Sequence, residues 1–359
     1  MKVNKYLRSL TALGVVAAMS VVAVSSAQAQ GRVKWKMQSA FGSTLVHLGT
    51  SGVRFSKDLE RLSAGKLQVK FYEPGALVPA LECFDAASKG SVESCWTTPG
   101  YHTGKLGSGV AFFTAVPFGP QIGEFLAWKW HGGGNAIRDK KYAEFGLMAF
   151  DCFCIGPETS GWFKEPITSV EQIKGLKMRF FGLGARVMQK MGASTQLLAG
   201  ADIYPALEKG VIDATEFSMP DIDQNLGFYQ IAKNNYYPGW HQQVSCSEFL
   251  MNRDAFNALP DTYKAMIEIA AGKQVIETYA DTEAKNPTAM NNMLSKYGVT
   301  NRRWPDETLA KFEAAWREVV SEESAKDPFF KEVADSYFAF RETYRGWGEA
   351  QAIKSTYLK

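Results

Sequence analysis

Two stretches of the chain, "DAASKGSVES" (85–94) and "PALEKGVIDA" (205–214), repeat one pattern. A helix end carrying alanine runs into Lys-Gly, then a branched aliphatic residue and an acid. Ala86, Lys89, Gly90, Val92 and Glu93 align with Ala206, Lys209, Gly210, Ile212 and Asp213. In each copy the glycine closes a helix and feeds a short strand. Any αβ unit can end this way, which is the plain reading of the echo. The other reading is two similar α/β lobes with a cleft between their strand ends.

The flanking sequence constrains the fold in the same direction. "VKWKMQSAF" reads as a strand, and "STLVHLGTSGVRFSKDLERLS" as a helix capped by Ser43 or Thr44. "KLQVKFYEPG" alternates as a strand, and a helix follows from about Pro79 to Lys89. This order predicts parallel strands in an α/β sheet. "TSVEQIKG" then opens a short helix, "LKMRFFG" reads as a strand, and "ARVMQKMG", "ASTQLL" and "DIYPALEKG" complete a further αβ unit. Beyond Pro305 the chain turns helical and amphipathic.

The first residues stand apart from this pattern. Lys2, Lys5 and Arg8 precede the apolar run "LGVVAAMSVVAV", and Ala27 and Ala29 form an A-x-A cleavage pattern. Residues 1–29 therefore read as a secretory signal peptide cut after Ala29, which places the mature protein in the periplasm. Those three basic residues account for the net charge of +3. A near-neutral mature chain argues against a nucleic-acid partner. About 330 remaining residues suit roughly two domains. The five cysteines (Cys83, Cys95, Cys152, Cys154, Cys246) include no C-x-x-C pair. Cys152 and Cys154 share one face of a strand and suit burial better than bridging, although an oxidising compartment leaves one disulfide open.

Three charged residues sit in apolar surroundings. Arg179, in "KMRFFG", either bridges loops structurally or offers a guanidinium to a planar anion. Glu216, at the end of a strand expected to begin at Val211 and Ile212, either pairs with a basic side chain or ligates a cation. Glu158, in "GPETSGWF", is near enough to a bend to join it. Two carboxylates and a carboxylate ligand around one ion form a hard oxygen site, suited to Ca²⁺ or Na⁺ over zinc. Tyr101, Phe217 and Trp240 stand at strand or loop edges, and His241, Gln242 and Gln243 follow the "YYPGW" turn toward the same cleft. Enzyme signatures are weak. "FGLGAR" lacks the third glycine of a dinucleotide fingerprint, and no G-x-S-x-G or H-E-x-x-H occurs. Glu158 and Glu216 could be drawn as an acid–base pair of an exported hydrolase or lyase.

"LSAGKLQVKFYEPGALV", "AASKGSVESCW", "IKGLKMRFFGLGARVMQKMGAS", "YPALEKGVIDATEF" and "GFYQIAKNNYYPGW" together resemble the periplasmic substrate-binding subunits of TRAP transporters, the DctP family. The similarity is greatest to the branch that includes 2-oxoacid- and lactate-binding proteins and proteins described for mannitol or chloroaromatic compounds. It implies a two-lobed periplasmic binding protein fold, with a long helix spanning both lobes and C-terminal amphipathic helices. It implies a first lobe over 30–155, with a returning segment at about 245–285. A second lobe is expected over 156–244 and C-terminal helices over 286–359. The implied function is capture of a small organic acid, a 2-oxoacid or 2-hydroxyacid, for delivery to a membrane permease. Binders of aromatic carboxylates or polyols share the fold, and a sensor docking on a receptor is a further alternative.

By that resemblance Arg179 clasps the substrate carboxylate. Glu216 and the Phe217 carbonyl hold a metal ion, with Glu158 as a third ligand. Tyr101, Trp162, Phe217 and Gln242 complete the substrate set beside Arg179 and Glu158. A Ca²⁺ or Na⁺ ion is expected to bridge the ligand, with no organic cofactor. Glu158 stands in "ETSGWF" where the branch has "QMGGWF", which adds negative charge and favours a divalent ion. Phe217 stands where tryptophan is more usual. In that branch C-terminal helices exchange between subunits to form a homodimer, and the amphipathic tail here is compatible with that.

Overall fold

The computed structural model describes residues 31–353. The expected signal peptide, its cleavage after Ala29 and the last six positions of the tail lie outside the described residues.

Eleven strands form two sheets among those residues: β1 (Val33–Ser39), β2 (Leu67–Tyr72), β3 (Ser94–Thr97), β4 (Leu147–Ile155), β5 (Gly161–Phe163), β6 (Lys177–Arg179), β7 (Ser194–Gln196), β8 (Ala214–Thr215), β9 (Asn234–Tyr237), β10 (Ser245–Asn252) and β11 (Thr300–Arg303). The first sheet runs β2-β1-β3-β10-β4 and the second β11-β9-β5-β8-β6-β7. Buried aliphatic and aromatic side chains fill the faces of both sheets. The α/β expectation holds, but neither sheet is wholly parallel. β4 carries the chain out of the first sheet and β10 brings it back, so the two pair antiparallel side by side. β5 is likewise antiparallel to β8 and β9.

The same pairing corrects the cysteine expectation. The structure holds two disulfides, Cys83–Cys95 and Cys154–Cys246, and Cys152 is free and buried. β4 and β10 set Cys154 directly opposite Cys246. A register shift between Ser247 and Glu248 leaves Cys152 without a partner in the ladder. Spacing of Cys152 and Cys154 could not reveal this, because the partner strand lies 92 residues away. Labelling the protein with an alkylating reagent, unfolded without reductant, is expected to modify one cysteine, and all five after reduction. Three or more labelled cysteines before reduction would contradict the pairing.

One helix start and one strand also differ from the expectation. The first helix spans Leu48–Leu62 and begins past Ser43 and Thr44. His47 precedes it with φ 61°, its ring held by Asp221 Oδ2 at 2.8 Å and Asp281 Oδ2 at 3.2 Å. The chain folds back so tightly that a Cβ on Gly49 would lie 1.7 Å from the Gly42 carbonyl oxygen. Tertiary contacts thus replace the local cap. At the second site, the strand after Gly210 is only Ala214–Thr215, and Val211 is exposed.

A 37-residue helix, Asp261–Tyr297, packs along β4 and against the Pro220–Leu226 helix, so it spans both lobes. It runs past residue 286, and the chain then adds β11 to the second sheet before the final helices Asp306–Lys326 and Pro328–Gln351. The last helix buries Phe330, Val333, Ala334 and Tyr337 on the same chain, against Phe112 and Trp128. Its far end leaves Trp347 60% exposed.

The first lobe carries a buried charge cluster. Asp151 on β4 accepts hydrogen bonds from Arg138 Nη1 (2.8 Å), Trp130 Nε1 (2.8 Å) and Asn135 Nδ2 (2.9 Å), and pairs with Lys129 Nζ at 2.7 Å. It clamps the helices Ile122–His131 and Gly134–Ala143 onto the sheet. Burial opposes its charge, but Lys129 and Arg138 outweigh burial and hold the carboxyl well below its usual range.

Candidate functional site

The strand ends of the two sheets enclose a cavity of about 30 Å³. Thr98 and Tyr101 line it from the first lobe's side, and Glu158, Arg179, Phe217 and Gln242 from the second. These residues form a pocket between the two lobes.

Arg179 ends β6, and its guanidinium is almost wholly buried. Its Nη1 donates to the Glu216 backbone carbonyl at 2.7 Å and to Glu216 Oε1 at 2.8 Å, and Nε donates to the Leu198 carbonyl at 3.3 Å. The Phe217 ring lies 5.2 Å from the guanidinium carbon, a cation–π distance. Among the described residues Nη2 donates no hydrogen bond. One nitrogen of a buried cation on the cavity wall is thus left for a ligand.

Glu216 follows β8 with no exposure at all, and its own N–H donates to the Arg179 carbonyl at 3.2 Å. Besides Arg179, its Oε1 accepts the Phe181 N–H in a short hydrogen bond. Burial raises the Glu216 carboxyl, but Arg179, His241 and the Phe181 N–H overcome that and leave it below its ordinary value. The unexplained acid of the sequence is therefore half answered. One oxygen pairs with Arg179, and the other, Oε2, is buried without a hydrogen-bond partner.

That second oxygen has company. Glu158 lies between β4 and β5, fixed by its N–H donating to the Gln242 carbonyl at 3.1 Å. The turn carrying Gln242 presses so close that a Cβ on Gly239 would lie 2.0 Å from the Glu158 carbonyl oxygen, so only glycine fits. The same turn places His241 Nε2 3.5 Å from Glu158 Oε2 and 3.6 Å from Glu216 Oε2. These contacts are longer than good hydrogen bonds. Glu158 Oε2, Glu216 Oε2 and both His241 nitrogens are buried without hydrogen-bond partners. Ligand atoms of the three residues lie within 4.8 Å of one another. Burial pushes the Glu158 carboxyl up to about 7, against the pull of His241. Burial disfavours charge on the His241 imidazole too, yet the two carboxylates raise it to about 9. The two unpartnered carboxylate oxygens, Glu158 Oε2 and Glu216 Oε2, converging beside His241 fit a cation.

The remaining residues divide. Tyr101 reaches the cavity from the Pro99–His102 turn, and burial raises its phenol to about 12, so it is a neutral donor. Trp162 on β5 stands outside the lining, where its Nε1 donates to Asp223 Oδ2 at 2.7 Å. Burial pushes the Asp223 carboxyl well above its usual value, against the pull of the Trp162 N–H. The Phe217 carbonyl accepts no hydrogen bond among the described residues. His241 entered the sequence reading only as a cleft residue. Nothing in the order of residues sets it against two acids 83 and 25 positions earlier.

Residues 39–327 match the family described as bacterial extracellular solute-binding protein, family 7. A monocarboxylate 2-oxoacid-binding periplasmic protein of Nostoc sp. (strain PCC 7120) is 33% identical over 89% of this chain and 87% of its own. A TRAP transporter solute-binding protein of Bordetella bronchiseptica RB50 superposes with TM-score 0.86 at 31% identity, covering 89% of this chain and 95% of that one. It is a mixed-occupancy dimer, with copurified calcium and picolinate in one active site and the other apo. A TRAP periplasmic solute-binding protein of Pseudoalteromonas atlantica T6c, with bound sodium and pyruvate, gives TM-score 0.85 at 28% identity, covering 89% and 97%. No helix among the described residues is long and apolar enough to cross a membrane.

Proposed function

The chain belongs to family 7 of the bacterial extracellular solute-binding proteins, and on that premise we propose that it captures a small 2-oxo or 2-hydroxy monocarboxylate in the periplasm for a TRAP permease. The observation that carries this reading is the Arg179 guanidinium, 1% exposed on the cavity wall, with Nη1 and Nε bonded to Glu216 and Leu198 and Nη2 beside the Tyr101 phenol. A guanidinium nitrogen in a water-poor cleft favours an anionic oxygen, and its charge-assisted bond is stronger there than at a surface.

Glu158, Glu216 and the Phe217 carbonyl are the residues that would hold a cation beside the acid. A bound dication supplies the charge that lets a carboxylate approach two others. The two carboxylates hold a proton on His241 in the ion-free site; a bound cation would displace it, and Arg179 against Glu158 and Glu216 then leaves one net negative charge. A dication and a monocarboxylate together bring the site to neutrality. Tyr101 and Gln242 donate to the ligand from opposite lobes, so the ligand favours closure through contacts to both. The closed form is what the permease reads. Export depends on the leader, and the exposed end of the last helix around Trp347 is the surface on which a second copy would exchange helices.

Thermal-shift measurements on purified protein test this reading, with pyruvate, picolinate and mannitol as probes in the presence of divalent metal. Ligand binding raises the apparent melting temperature by mass action. Pyruvate is expected to raise it, mannitol is not, and pyruvate is expected to be recovered unchanged. Stabilisation by mannitol alone would overturn the carboxylate reading, and conversion of pyruvate would return Glu158 and Glu216 to an acid–base role.

A further inference from the structure

We propose that His47 is a latch that holds the two lobes closed over the ligand, and that its grip weakens as pH rises. The proposal rests on the reading that a bound acid favours closure, and adds the residue that keeps the cleft shut.

His47 stands where the first lobe reaches across to the second. It follows β1, and its neighbour Leu48 lines the cavity. Asp221 belongs to the other lobe: it lies in the first turn of the Pro220–Leu226 helix, just beyond Phe217 and Ser218 on the facing cavity wall. His47 Nε2 meets Asp221 Oδ2 at 2.8 Å. Nδ1 lies 3.2 Å from Asp281 Oδ2 on the long helix, without hydrogen-bond alignment. The imidazole itself is wholly buried, so no water substitutes for either carboxylate.

An acid on each side decides the state of the ring. A neutral imidazole has one N–H and one lone pair, so one carboxylate would always face a lone pair. The doubly protonated ring presents a proton to both and carries the charge that attracts both. Its bond to Asp221 is then a charge-assisted link from lobe to lobe.

Neighbouring charges are engaged elsewhere. On the helix that follows His47, Arg54 donates to Gln274 Oε1 at 2.6 Å and Thr278 Oγ1 at 2.7 Å, with Glu277 beside it, and Asp58 pairs with Lys273 at 2.6 Å. These contacts fasten the first lobe to the long helix and do not reach Asp221. Lys285 pairs with Asp281 at 2.9 Å, and Asp223 accepts the Trp162 N–H. The His47 backbone is also poised for release. Its φ of 61° and ψ of −52° are rare outside glycine, and such a residue is held in place only by its surroundings. Breaking the Asp221 bond lets that strain relax, which favours opening.

Calorimetric titration with pyruvate in the presence of Ca²⁺, from about pH 5 to pH 8, tests the latch across the window in which an imidazole changes charge. His47→Gln and Asp221→Asn are compared with the wild type, each checked for an unchanged far-ultraviolet circular dichroism spectrum. Both are expected to weaken pyruvate binding by roughly 10- to 100-fold at the acid end, as for loss of a charge-assisted bond. The deficit should shrink toward the alkaline end, where the wild-type latch has let go. Glu158, at about 7, and His241, at about 9, titrate in all three proteins, so the ratio of variant to wild-type affinity isolates His47. The double variant should bind no worse than the weaker single variant, because one bond is lost only once. His47→Gly, which suits the positive φ, is a second variant in case the glutamine does not fold. Additive losses, a ratio that does not change with pH, or no loss at all would each overturn the latch while leaving capture intact. Wild-type protein that binds no pyruvate at any pH would overturn the capture reading, and the latch with it.

Discussion

Arg179→Ala is expected to abolish measurable binding of pyruvate, by calorimetry with divalent metal present. Truncating one partner of a buried, hydrogen-bonded charge pair costs about 2–5 kcal/mol, or roughly 30- to 4,000-fold. The upper part of that range applies here for two reasons. Arg179 Nη1 also carries both Glu216 bonds, so its loss leaves a buried carboxylate with only the Phe181 N–H and its His241 contact. The Phe217 ring loses its cationic neighbour as well. Arg179→Lys separates charge from geometry. A lysine keeps the charge but loses the planar fork, so it is expected to recover stability and only part of the affinity. Equal affinity in both variants and the wild type would show that the acid is anchored elsewhere.

Asp151→Asn is expected to lower stability by about 3–5 kcal/mol, since removing one partner of a buried ion pair strands the others. At about 2 °C per kcal/mol for a chain of this size, the melting temperature falls by roughly 6–10 °C. Lys129 and Arg138 would then face a neutral amide inside the first lobe. The pH dependence follows from the depressed Asp151 carboxyl. A carboxyl whose folded value is depressed contributes stability above its unfolded value of about 3.9, and loses it as pH falls through the folded value. The wild type should therefore destabilise progressively below about pH 4, and the asparagine variant should show a shallower loss over that window. Pyruvate affinity at neutral pH should be unchanged, because the cluster does not line the cavity. A variant as stable as the wild type would mean that the cluster is solvated and not a clamp.

How far the sequence reveals this molecule depends on the distance over which each feature is set. Helix ends such as Lys89-Gly90 and Lys209-Gly210 are local, and the αβ pattern they punctuate appears in the fold. The long helix and the two lobes were implied by resemblance and are present. The start of the first helix was misplaced because His47 is held by Asp221 and Asp281, some 174 and 234 residues away in the chain. Cys154–Cys246 was missed for the same reason, since only the β4–β10 register brings the pair together. Arg179, Glu216 and Glu158 drew notice as charges in apolar contexts. That signal is energetic and survives without knowing the partners. His241 carried no such signal, because a lone histidine after a turn is unremarkable until two acids face it. Trp162 reads as a lining aromatic in "GWF", but strand alternation on β5 sends its indole to Asp223.

Calorimetric titration of pyruvate into chelator-treated protein, repeated after adding one equivalent of Ca²⁺, tests metal-bridged capture most directly. One-to-one binding that appears only after the dication is restored is the expected result. Equal pyruvate affinity with and without the metal would contradict it.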